Sequence, residues 1–573
     1  METPLTVITE RVDDIPLLLA QLQRMEVQPL LDDYFPTHGN WQGLSLGHVA
    51  VVWLSHILSQ GDHRLNRVQD WVGRHQETLE QGLQQPVRAL DLSDDRLESV
   101  LRYLSDDAQW RLFEPALNQR QIQVYDLHPK RLRLDSTSVS GDWAVTEDGL
   151  FQYGHSKDHR PDLPQLKLML ATLDPLGLPI ATEIVPGQKA DDPLYIPAIE
   201  QVRQTLSQSG LLYVGDSKMA SLKTRCFLQA TGDYYLCPLG GTQLKAEVLQ
   251  AYLDPVEQGT VELQEIHYDY ADGHSALIAK GYEQTQLRTE VWDGQTWSWS
   301  ERQLVVYSLA YAQSAQQAFQ TRLEHAQTAL AALNPSRRGQ KVFPDEDALA
   351  QAAEAILTRY RVKAYLHLTY EEQVEHHTVR RYRDRPTRVV EQRRFQVNYT
   401  LDTEAIDQQR RTLGWRVYVT NHPEATLSLP QAVTAYRQEY VVEHSFARLK
   451  GHPLSLSPMY LQREDHIKGL IRLLSIALRL LTLMEFQVRQ ALADHQDSLS
   501  GLYPGNPKRA TARPTAELLL ASFRDITLVM VNVRGQTYAH ITELTPLQFR
   551  ILQALNFPVS IYTRLGPESE EPP

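Results

Sequence analysis

A chain of 573 residues is too long for one ordinary core, and at about 100–200 residues per domain it predicts roughly three or four modules. Its 42% hydrophobic and 22% charged residues exclude a disordered or fibrous polypeptide, and its two cysteines, Cys226 and Cys237, exclude a disulfide framework or a four-thiolate zinc site and fit a reducing cytosol. The net charge of -13 excludes a surface coated in positive potential, although a local basic groove and an acidic face can coexist.

The opening residues carry no basic segment followed by an apolar core, so no secretory leader is expected and the cytoplasm is the expected location. Residues 1–125 read as a separate helical N-terminal domain. Its best-signalled helix follows Ser93-Asp94-Asp95, with Leu97, Val100, Leu101 and Leu104 forming one buried stripe. The pattern changes at Arg131-Leu-Arg-Leu-Asp-Ser-Thr-Ser-Val139, whose alternation predicts a strand bearing Asp135.

Two antiparallel strands, 166–173 and 178–185, follow around Asp174-Pro-Leu-Gly177. A helix opened by Asp192 and Pro193 runs to about Gln208. Strand 211–214 then ends at Gly215-Asp216, and a further helix leads to strand 234–237, giving the order β-β-β-α-β-α-β. These elements form the first part of an α/β core, 126–240. Residues 241–405 form an α+β insertion, with strands at 261–268, 275–282 and 303–309, helices near 312–333 and 345–363, and a basic strand pair. The core resumes over 406–495 with strand 414–421, a helix containing Tyr436 to Lys450, and an apolar helix 465–492; residues 496–573 are a C-terminal region whose tail after Gly566 reads as disordered. Lys468, Arg472 and Arg479 interrupt the apolar run 467–486, which predicts a buried helix and not a membrane span.

An aspartate on a first strand and another just past a fourth face the same edge of a sheet, and a glutamate on a late helix can lie across it. Asp135, Asp216 and Glu443 are therefore candidate ligands for Mg2+ or Mn2+, hard cations that take oxygen donors. Two such ions about 4 Å apart stabilise the attacking and leaving oxygens of phosphoryl transfer. Tyr436, Glu443 and Lys450 recur at intervals of seven, nearly two helical turns each, so all three are expected to project from one face of a helix.

The segment Tyr436-Arg-Gln-Glu-Tyr-Val-Val-Glu-His-Ser-Phe-Ala-Arg-Leu-Lys450 resembles the Y-x2-R-x3-E-x6-K signature of DDE transposases from bacterial insertion sequences, the IS-four superfamily. Leu134-Asp-Ser-Thr-Ser138, Gly154-His-Ser-Lys-Asp-His-Arg160 and Gly215-Asp-Ser-Lys-Met219 resemble the blocks around the first two aspartates in that family. The resemblance implies an RNase H-like catalytic core split by an insertion, catalysis by Asp135, Asp216 and Glu443 with two metal ions, and phosphate contacts from Tyr436 and Lys450. One departure is plain: Glu439 stands at the signature's arginine position, and Arg437 points about 200° away on a regular helix.

Basic residues supply candidate DNA contacts. Residues 379–394 hold seven arginines, of which Arg380, Arg381, Arg383 and Arg385 are the leading candidates, and Lys157 and Arg160 form a smaller cluster beside Asp135. The expected function is a transposase acting on double-stranded DNA, on terminal inverted repeats and target, as a homodimer in the DNA complex and without a membrane. The alternative is a catalytically silent DNA-binding protein derived from such an enzyme.

Overall fold

The apolar runs between residues 131 and 238 pair as a mixed sheet in the order Leu178–Pro186, Gln165–Leu173, Arg131–Ser140, Leu212–Gly215 and Tyr234–Pro238. The first three strands are antiparallel, and the last two run parallel to the Asp135 strand. Parallel pairing requires a crossover; the helix Tyr195–Leu206 provides one, preceded by a short 3-10 turn at Asp192–Leu194, where a single helix from Asp192 is expected from the sequence. Gln165–Leu173 is buried along its whole length, so its two faces are both covered.

The computed structural model describes residues 6–270, 273–334, 343–379, 388–459, 461–533 and 536–566. Two compact units divide the chain: residues 1–237, 288–299 and 435–573 in the first, and 238–287 and 300–434 in the second.

Within the first unit the helix Glu464–Asp494 is buried along most of its length. Its charges survive there because they are paired. Arg479 donates to Glu114 Oε1 at 2.6 Å with both side chains inaccessible, and Glu114 Oε2 accepts from Gln201 Nε2 at 2.9 Å and from the Thr182 amide at 3.2 Å. This net ties the helices Asp107–Val124 and Tyr195–Leu206 to a sheet strand. Gly469 lies where a Cβ would stand 2.1 Å from the Leu101 carbonyl, which lets this helix approach Asp94–Leu104 closely. The stripe expected on that N-terminal helix is buried as predicted. No helix among the described residues is long and apolar enough to cross a membrane.

The ends of the chain meet in a separate sheet. Thr6–Arg11 pairs antiparallel with Thr527–Val533, which pairs in turn with Gln536–Ile541. Glu10, carried on the first of these strands, is buried and accepts from the Glu77 and Thr78 amides.

In the second unit, helices Leu309–Ala331 and Glu346–Tyr360 pack Phe319, Leu323, Leu330, Leu349 and Leu357 onto Val397 and Leu366 of a long hairpin. That hairpin pairs Leu366–Val379 with Arg388–Leu401. The strands Ser275–Trp292 and Gln295–Ser308 are longer than their apolar runs suggest, because their polar halves still pair across the ladder.

Candidate active site

Asp135 and Asp216 are brought together by sheet register. Leu134 pairs with Gly215 on the neighbouring parallel strand, so the next residue on each chain is an aspartate. Parallel neighbours in equivalent register project to the same face, with strands about 4.8 Å apart. Both side chains are partly accessible at that edge. Burial raises the Asp135 carboxyl above its ordinary range; the Lys157 ammonium opposes the rise and the Asp216 charge adds to it.

Lys157 donates to Asp135 Oδ1 at 3.1 Å and to the Ser136 carbonyl at 2.6 Å, and its amide donates to Ser138 Oγ at 2.9 Å. The loop that carries it depends on Gly154, where a Cβ would stand 2.3 Å from the Gly187 carbonyl. Arg160 is held by Asp162, with Nη2 to Oδ2 at 2.8 Å. Lys450 reaches the same loop, its Nζ 2.7 Å from Asp158 Oδ1.

The glutamate segment differs from its expected form. One helix from Tyr436 to Lys450 is replaced by two, Leu429–Arg437 and Tyr440–Lys450. The amides of Glu439, Val441 and Val442 bond three residues back, to Tyr436, Gln438 and Glu439. That tighter winding takes Tyr436 off the helix that carries Glu443 and Lys450, and these two alone keep their seven-residue spacing on one α-helix. The cause lies on the Asp135 strand. Arg133, 2% exposed, donates to the Ala435 carbonyl, the acceptor that the Glu439 amide would need in a continuous α-helix, and also lies 3.5 Å from the Tyr436 carbonyl. Asp174 anchors Arg133 at 2.9 Å and also pairs with Arg131, whose Nη2 donates to Gln438 Oε1 at 2.8 Å.

Beyond the break, Ser445 Oγ donates to the Gly177 carbonyl at 3.1 Å, docking the second helix on the turn that Asp174 begins. Arg448 is buried against Glu485 and Glu517 on the far side. Tyr436 is buried, Glu439 half-buried and Glu443 exposed. Burial lifts the Glu439 carboxyl above its ordinary range, helped by the charges of Asp135, Glu443 and Asp216, while a hydrogen bond with Tyr436 opposes the shift. Glu439 therefore shares the electrostatic field of the two aspartates.

The donors at this edge are carboxylate oxygens, the set that suits a hard divalent cation. Among the described residues no three His, Cys, Asp or Glu side chains are gathered closely enough to hold one together, so the aspartates and the helix glutamates do not form a closed cage. Arg380, Arg381, Arg383 and Arg385 lie outside the described residues. Of the arginines described on that hairpin, Arg393 is paired with Glu372 at 3.2 Å and with Glu391 at 3.1 Å. Sequence reasoning missed Arg133, Asp174, Ser445 and Tyr195, whose hydroxyl donates to Asp216 Oδ1 at 2.6 Å. The first two sat in plain view within a strand and a turn, but nothing local marks their partners.

Residues 128–480 match the family model described as "Transposase DDE domain", more than half of the chain. The chain belongs to that transposase family. No curated protein matches it. Among solved structures, the cryo-EM structure of the piggyBac transposase synaptic complex with hairpin DNA is similar over 97% of this chain and 86% of that one, at 8% identity and a TM-score of 0.36, a likeness too loose to argue from.

Proposed function

We propose that this protein is a metal-dependent DNA transposase of the IS-four superfamily, with an RNase H-like core, that cuts at the ends of its element and joins the freed ends to target DNA. The observation that carries the reading is the register of Leu134 with Gly215 inside the family match, which sets Asp135 and Asp216 side by side just past the last pair of the parallel ladder. The order of the five strands around them supports the core assignment.

Asp135 and Asp216 would hold Mg2+ or Mn2+, two ions in all, with Glu443 as the third carboxylate. The chemistry that such ions would supply is stabilisation of the charge on the attacking and leaving oxygens of a phosphoryl displacement. Water attack on the phosphodiester at the element end breaks the P–O3′ bond, giving a 5′-phosphate and a free 3′-hydroxyl, and that hydroxyl attacks a target phosphodiester and displaces the target's 3′-oxygen as its leaving group. Lys450 and Tyr436 position phosphates, and Lys157 and Arg160 contact the backbone of double-stranded DNA. Lys157 and Lys450 rest on Asp135 and Asp158 and exchange those carboxylates for phosphate when DNA arrives. Arg380, Arg381, Arg383 and Arg385 extend the grip, and neutralising them together flattens the salt dependence of binding. A homodimer brings two element ends together.

One observation favours a second reading, a silent DNA-binding descendant: the absence of a closed three-carboxylate cluster among the described residues. A nicking assay on the DNA ends that flank the gene separates the two. The transposase reading expects nicking in Mg2+ and none in chelator, with Asp135→Asn and Asp216→Asn still folded and still binding the ends. Near-wild-type nicking by either variant, or none by the parent protein, sinks it.

A further inference from the structure

Each aspartate at the sheet edge has one oxygen claimed by protein donors and one left open. Asp216 Oδ1 accepts from the Tyr195 hydroxyl at 2.6 Å and from the Lys218 amide at 2.8 Å. Asp135 Oδ1 accepts from the Ser136 amide at 2.7 Å and from Lys157 Nζ at 3.1 Å. On neither carboxylate does a described protein donor reach Oδ2. Two hydrogen bonds to one oxygen fix the rotation of a carboxylate and leave the lone pairs of the other for an incoming cation.

The two supports differ in charge. Lys157 brings an ammonium to Asp135, whereas Tyr195 brings a neutral hydroxyl and leaves the Asp216 charge intact. Tyr195 is built into the fold for this contact. It opens the crossover helix Tyr195–Leu206 and is 1% exposed. Gly215 gives its ring room: a Cβ there would stand 3.1 Å from Tyr195 Cε1 and 2.8 Å from Met219 Sδ.

We infer that Tyr195 is a positioning residue for the metal centre, holding Asp216 by Oδ1 so that Oδ2 meets a divalent cation at the edge it shares with Asp135. This rests on the reading of Asp216 as a metal ligand, and the test is chosen to separate the two. Mn2+ binding to the full chain, without DNA, is followed by the paramagnetic resonance of the free ion for the parent protein, Tyr195→Phe, Asp216→Asn and the double variant. Removing an outer-shell partner of a metal ligand typically costs 10–100-fold in metal affinity. Tyr195→Phe is expected to weaken Mn2+ binding about tenfold. It removes one oxygen and no carbon, so its melting curve should stay close to the parent's. In the Asp216→Asn background the same change should add nothing, because the hydroxyl acts through that carboxylate; a role in packing alone would weaken both backgrounds alike.

If Asp216→Asn loses affinity while Tyr195→Phe binds as the parent does, or if the tenfold loss persists in the double variant, the inference falls and the metal-site reading stands. If parent and Asp216→Asn bind Mn2+ equally, both fall.

Discussion

The two aspartates and the glutamate segment of the proposed site are positioned by different means. Asp135 and Asp216 are placed by backbone hydrogen bonds, since a strand register of Leu134 on Gly215 leaves their Cα positions no freedom. Glu439 and Glu443 are placed by side chains: Arg133 takes the carbonyl a continuous helix would use, Asp174 holds Arg133, and Ser445 fastens the second helix to Gly177. A pleated ladder tolerates surface changes without moving its carboxylates, whereas a helix docked by a few buried polar groups moves when one of them is lost. The sheet edge thus holds its carboxylates by backbone pairing, and the broken helix rests on a few buried side chains.

The sharpest way to break that comparison is to ask which glutamate serves the site. Glu443→Gln is expected to lower Mg2+-dependent nicking by more than about a hundredfold, since even outer-shell losses at metal sites cost 10–100-fold, while Glu439→Gln keeps cutting and Glu439→Arg binds end DNA at least as well as the parent. Nicking rates under single-turnover conditions decide it. A dead Glu439→Gln beside an active Glu443→Gln would transfer the role to the half-buried residue.

Next in size is the clamp. Arg133→Met leaves Asp174 buried with Arg131 alone and frees the Ala435 carbonyl. Urea unfolding should show a loss of about 3 kcal/mol, the low end for a broken buried pair. Cutting should fall even under conditions where the variant is fully folded, because the glutamate helix is no longer held. An Arg133→Met protein with parental stability and rate would show that the helix break forms without the clamp.

Ser445→Ala removes one hydrogen bond to the Gly177 carbonyl and should cost about 1 kcal/mol in the same unfolding experiment, with Asp135, Asp216 and the sheet unaffected. The smallest effect is electrostatic. The folded carboxyl of Glu439 is raised above its unfolded value, so its favourable contribution is full below the unfolded range and is lost as pH rises through the folded pKa. Removing the charge should then help the metal-free protein only at higher pH. Glu439→Gln is expected to match the parent's melting temperature near pH 4 and to exceed it by on the order of 2 °C at pH 7. A gain that shrinks with rising pH would contradict the sign of the shift.

The sequence by itself determined the strand that carries Asp135, the strand ending at Gly215-Asp216, their antiparallel and crossover neighbours, and the burial of the charged apolar helix Glu464–Asp494. Those features are local: alternation, turn residues and a hydrophobic run write them into consecutive positions. Only the tertiary structure decided that residues 436–450 are two helices, because the breaking group, Arg133, lies about 300 positions earlier and no helix propensity records a guanidinium arriving from another strand. For the same reason the hydroxyl of Tyr195 on Asp216 and the pairing of Thr6–Arg11 with Thr527–Val533 had no signature in either segment alone. A hydrogen bond between distant segments is a property of the fold, and each partner, read where it stands in the chain, carries half of it.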